Sequence, residues 1–137
     1  MLYGVKLAVQ ERNAAGGVGG FGIELVALND DGQAAQAGRQ VEALVADPAV
    51  VGVVGPWQTH TARAAAPAYA RAGLPAVVPA ALPEDVLRAS PGVYRMYAGD
   101  ETLAETLASA IPDDTGWMLV GDAGGWPDAL SRLRPRT

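Results

Sequence analysis

Cysteine is absent from these 137 residues, which excludes a disulfide framework, a thiol nucleophile and a thiolate metal centre. Histidine occurs once, as His60. A single imidazole with no thiolate argues against a zinc site, so a solvent-facing helix position is expected for it. Positive charge is scarce: 10 Lys and Arg stand against 15 Asp and Glu, for a net charge of −5. Nucleic-acid recognition, which leaves a basic footprint, is not expected. No apolar run approaches the ~18–20 residues needed to span a bilayer. Met1 leads almost directly into an amphipathic helix pattern, so no signal peptide is expected in this stretch. Serine is limited to Ser90, Ser109 and Ser131, none within a G-x-S-x-G elbow. No P-loop is present either, so hydrolase and kinase chemistry lack a nucleophile or a phosphate cradle.

Half of the residues are apolar, enough for a core, and the length points to one domain or part of one. Regular hydrophobic segments recur, which argues against disorder. Residues 2–13 read as a helix with Leu2, Val5, Leu7, Ala8 and Val9 on an apolar stripe, stopped by Gly16-Gly17. Residues 22–28 read as a strand. Asn29-Asp30-Asp31-Gly32 is a turn whose aspartate can cap the next helix, 33–46. That helix should bury Ala37, Val41, Leu44 and Val45. The densest signal follows. An apolar run at 50–54 ends in Gly55-Pro56, then come Trp57-Gln58-Thr59-His60, an alanine-rich helix to Ala72-Gly73, and a second short strand before Pro79. This is a βαβ unit with a polar, aromatic loop at the strand's carboxyl end, where open α/β sheets bind ligands. Residues 83–87 form a short helical turn, 93–95 a strand, and 101–111 a helix capped by Asp100. A linker at 112–116, a strand at 117–120 and a helix at 128–133 complete the pattern. Alternating strands and helices imply an α/β fold with a doubly wound parallel sheet.

Few residues carry chemistry, and each has a plainer alternative. Thr59 at a helix start can offer its hydroxyl and free N–H groups to a carboxylate, amide or phosphate, or can simply cap the helix. Trp57 can stack on a ligand or pack on a neighbouring loop. Trp126, after Asp122-Ala123-Gly124-Gly125, can face a cleft or cover a core. The acidic pairs Asp30-Asp31 and Asp113-Asp114 sit in turns and read as caps rather than acid–base pairs. Gly17-Val18-Gly19-Gly20-Phe21-Gly22 matches G-x-G-x-x-G, but the helix precedes it and the strand follows, the reverse of a dinucleotide site.

The order of these segments resembles type I periplasmic solute-binding proteins of ABC transporters, the branched-chain amino acid, amide and urea-binding class. Gly4-Val5-Lys6-Leu7-Ala8-Val9 with Asn13-Ala14-Ala15-Gly16-Gly17 is similar to that family's first-helix signature. Asp30-Asp31-Gly32, Val53-Val54-Gly55-Pro56 with Thr59, Ala66-Pro67, Gly73-Leu74-Pro75, Pro79, and Tyr94-Arg95 with Asp100 continue in the family's order. The resemblance implies a non-enzymatic, two-lobed trap for a small polar solute (amino acid, amide or urea-like). It further implies an ABC permease as partner, no cofactor, and a periplasmic or extracellular location. Ligand contacts would come from Trp57, Gln58 and Thr59, from Ala80, Ala81 and Leu82 in the next loop, and from Trp126 of the second lobe. Leu82 stands near where amino-acid binders carry a threonine hydroxyl, which points away from an α-amino acid.

The resemblance also implies truncation at both ends, with 1–113 a partial first lobe and 114–137 the hinge crossing and first strand–helix of a second. The family's first strand would lie between the segments at 22–28 and 50–54. Its absence would leave a gap or force a re-pairing, and would expose strand edges. Weak or no ligand binding is therefore expected. A ligand-sensing module of a transcriptional or signalling regulator is the alternative on the same fold. A Rossmann-like enzyme using residues 17–22 is the alternative from another class.

Overall fold

A computed structural model describes residues 1–80 and 82–110. The expected linker at 112–116, the strand at 117–120, the loop bearing Trp126, the final helix and the second-lobe boundary all lie outside the described residues.

Among the described residues three short strands make the sheet: β1 (Val53–Val54), β2 (Ala76–Val78) and β3 (Val93–Arg95), in the order β1-β2-β3 and all parallel. Val53 pairs with Ala76, and Ala76 with Val93. Parallel neighbours need a crossover, and α3 (Thr59–Ala72) provides the one from β1 to β2. Alanine dominates α3 and has the highest helix propensity. It also leaves a smooth face. Ala62, Ala65 and Ala66 have no exposed surface and meet Val41 of α2 (Ala34–Ala46) together with Val78 and Leu82. Full burial of a side chain such as Val78 or Leu82 contributes about 1.5–3 kcal/mol. Helix α3 ends in a Schellman motif. Gly73 adopts φ 66°, its N–H reaches Ala70 O, and the Leu74 N–H reaches Tyr69 O at 3.0 Å. A short α4 (Glu84–Arg88) leads into β3, and α5 (Asp100–Ala110) follows it.

Four expectations need correction. Residues 22–28 form no strand: no neighbouring strand among the described residues accepts their backbone groups, so a β pattern has nothing to pair with. Ile23, Val26 and Leu28 stay exposed. The segment is held by Asn13 instead, whose amide bonds both backbone groups of Ile23 at 2.8 and 2.7 Å, imitating a strand partner. Re-pairing does not occur, since β1 joins only β2 and its other edge carries no ladder among the described residues. Second, α1 (Leu2–Ala14) buries none of its expected stripe; Val5 and Val9 are only half-buried. Third, Asp30 does not cap α2. Gln33 occupies the cap position, and the Asp30 carboxylate closes its own turn by accepting the Gly32 N–H at 3.0 Å. Val45 of α2 is exposed. Fourth, Asp100 lies within α5, and the Gly99 carbonyl accepts the Leu103 N–H.

Tyr69 is the one large aromatic side chain in the described core. Burial, then the negative charge of Asp30, pushes its phenol up to about 12 from 10.0. In the unfolded chain the phenol ionises near its ordinary value. The folded state therefore has full benefit below pH 10 and loses it as pH rises from 10 to 12. Denaturant midpoints measured from pH 9 to pH 12 should fall more steeply for the wild-type chain than for Tyr69→Phe. Parallel curves would show that Tyr69 does not drive the alkaline loss.

Candidate functional site

Because the sheet is parallel, the loops after β1, β2 and β3 leave it along one edge. The Gly55 N–H donates to Val77 O at 2.9 Å, the last rung before the chain turns away from the sheet. Gly55 is buried with φ 132°, a conformation open to glycine. Pro56, Trp57 and Gln58 then bring the chain to α3. Gln58, in extended backbone, is the N-cap, and its carbonyl accepts the Ala62 N–H. Thr59 is thus the first helical residue and not the cap. Its side chain is exposed, while the Thr61 hydroxyl donates to Gln58 O at 3.0 Å.

The result is a polar, positively polarised spot beside an aromatic ring. The N–H groups of Thr59, His60 and Thr61 precede the first intrahelical partner of α3. They carry the positive end of the helix dipole. Trp57, 54% exposed, and Gln58 stand next to them. The turn 29–32 is latched onto this first helical turn. His60 Nε2 lies 2.7 Å from Gly32 O, and the Gln58 side chain rests over Gly32, where a Cβ would come within 2.9 Å of Oε1. His60 is exposed, yet it has this structural task, which lone-histidine arithmetic did not reveal.

On the neighbouring loop, Ala80 and Leu82 are buried, at 5% and 1% exposure. The Leu82 N–H donates to Ala80 O at 2.8 Å, and Leu82 O accepts from Arg95 Nη1 at 2.7 Å. They form the base of the loop. Ala81 and Trp126 lie outside the described residues. Trp57, Gln58 and Thr59 are therefore brought together, with Ala80 and Leu82 one strand away. Arg95 is the residue that sequence reading missed as part of this edge.

Residues 17–22 have no place here. Val18 and Phe21 form a small antiparallel bridge, and a Cβ on Gly17 would strike Phe21 O at 1.9 Å. The glycines make a tight turn, and residues 22–30 directly after it are not helical, so no helix N-terminus stands there to receive a pyrophosphate. No metal-holding group of His, Asp and Glu exists among the described residues. Nor is any described helix long and apolar enough to cross a membrane.

The family described as "Periplasmic binding protein" matches residues 1–133. The chain belongs to the periplasmic binding protein family. Among solved structures, an ABC transporter substrate-binding protein from Desulfitobacterium hafniense is 30% identical, with a TM-score of 0.73 over 78% of this chain. Another from that organism, in complex with Leu, is 25% identical with a TM-score of 0.78 over 95%. The branched-chain amino acid transporter substrate-binding protein LivJ from Streptococcus pneumoniae, in complex with isoleucine, is 31% identical with a TM-score of 0.65 over 70%. The chain spans only 32%, 42% and 28% of those proteins. No curated protein matches it. The α/β parallel sheet is that of a periplasmic-binding-protein lobe.

Gly32 tests how tightly this lobe fixes its first helical turn. Gly32→Ala meets both a positive φ of 66° and the Gln58 side chain. It should destabilise the chain by about 1 kcal/mol or more, and should shift the amide resonances of Gln58 and His60. An unchanged melting temperature with unshifted resonances would contradict the latch.

Proposed function

We propose that this chain supplies one wall of a non-enzymatic solute trap serving ABC-type import, and that its solute is a small amino acid with an aliphatic side chain. The carrying observation is the exposed Trp57 beside the N–H groups of residues 59–61, which have no partner among the described residues, at the carboxyl edge of a parallel sheet. A carboxylate suits that spot: the helix N-terminus favours negative charge, and the Thr59 hydroxyl adds a donor. A neutral amide or urea gains less from the dipole. Trp57 then offers an apolar face to an aliphatic side chain. Leu82 does not oppose an amino acid, because its side chain is in the core and removes no polar group from the exposed edge. The Leu and isoleucine complexes of two relatives support the same class.

In this reading residues 1–113 belong to the first lobe. Residues 114–137 cross into the second, where Trp126 closes over the solute. Ala80 and Ala81 contribute backbone groups. Capture and release require no covalent step, and the intact assembly works outside the cytoplasmic membrane with a permease as its partner.

The test is a titration of the ¹⁵N-labelled chain with L-leucine, L-isoleucine, acetamide and urea. One wall alone should bind weakly, with a Kd on the order of millimolar. Leucine and isoleucine should move the amides of Trp57, Thr59, His60 and Thr61 before any others, and acetamide and urea should do so less. Unmoved resonances at saturating leucine, or movement confined to residues 17–22, would overturn the reading.

A further inference from the structure

Arg95 closes β3, yet its side chain is only 13% exposed. The strand register explains where it goes. Arg95 pairs with Val78, the last residue of β2, and the Met96 N–H donates to Val78 O. The guanidinium therefore starts level with the point where the β2 loop departs. From there it makes three attachments. Nη1 donates to Leu82 O at 2.7 Å, Nε donates to Tyr97 O at 2.9 Å, and Nη2 meets the Glu84 carboxylate at 3.2 Å. Gly99 lies flat against it; a Cβ there would come within 3.0 Å of Nη2 and 3.3 Å of Nη1. A planar fork with five donors can serve two carbonyls and a carboxylate at once, which a lysine ammonium cannot match in geometry.

We infer that Arg95 is the positioning residue of the binding edge: it ties the loop after β2 to the loop after β3 and so sets the second side of the solute site. The affinity part of this inference rests on the solute-binding reading; the loop-fixing part does not. The two carbonyl bonds carry the function. The pair with Glu84 contributes little, because Glu84 is about half exposed and shared with Arg88 at 3.8 Å.

The experiment compares Arg95→Lys, Gly99→Ala and Glu84→Gln with the wild-type 137-residue chain, by amide hydrogen exchange and by leucine titration. Arg95→Lys and Gly99→Ala should accelerate exchange at Leu82 and Met96, whose N–H groups bond Ala80 and Val78, by about tenfold, while Val41 and Ala66 in the helix pair change little. Glu84→Gln should leave all four near wild type. Leucine affinity should fall about tenfold in the first two variants, at closely similar melting temperatures. If Arg95→Lys fails to fold, Gly99→Ala decides alone, since its backbone is unstrained and only the guanidinium is displaced. Unchanged exchange at Leu82 and Met96 in Gly99→Ala overturns the inference. Accelerated exchange with no wild-type response to leucine upholds the clamp and removes the solute reading instead.

Discussion

The alanine face of α3 is the constraint on which the rest of the structure depends. Three alanines with no exposed surface let the helix lie close against α2 and the sheet. Side chains any larger would lift it away. Close seating fixes the height of its first turn relative to β1 and β2, and that first turn is the polar half of the candidate site. The Schellman ending at Gly73 then returns the chain at the right place for β2. Packing along the helix and the polar first turn at its start are one arrangement.

The candidate edge has two sides with different supports. On the side of α3, backbone N–H groups are held ready by helix geometry and by the turn 29–32, whose Gly32 engages both Gln58 and His60. On the side of β2, the loop runs into the short α4, and the Arg95 side chain bonds both this loop and the loop after β3. Both supports act on the same carboxyl edge of the parallel sheet. The uncovered parts tell a complementary story. Helix α1 and residues 22–28 carry apolar residues that find no partner among the described residues, and Asn13 alone stands in for a strand.

Much of this was legible in the sequence because the βαβ unit obeys local rules. Periodicity placed α2 and α3, glycine and proline bounded them, and the turn after β1 marked the candidate edge that Trp57, Gln58 and Thr59 share. What failed needed long-range knowledge. Residues 22–28 have a good strand pattern, but a strand exists only with a neighbour. Asp30 and Asp100 have the chemistry of caps, but where a helix begins was settled by Gln33 and by the Gly99 carbonyl. Arg95 reads as an ordinary charged strand end until the register sets it beside Val78. His60 reads as a surface residue until the packing of α2 on α3 brings Gly32 under it.

The most direct measurement is the response of both loops to one change in the alanine face. Ala66→Leu adds volume where none is available and should cost about 1–3 kcal/mol. If α3 seats both sides of the edge, the amide resonances of Thr59, His60 and Thr61 should shift together with that of Leu82. A variant of wild-type stability, or one whose shifts stay within a turn of residue 66, would contradict the account.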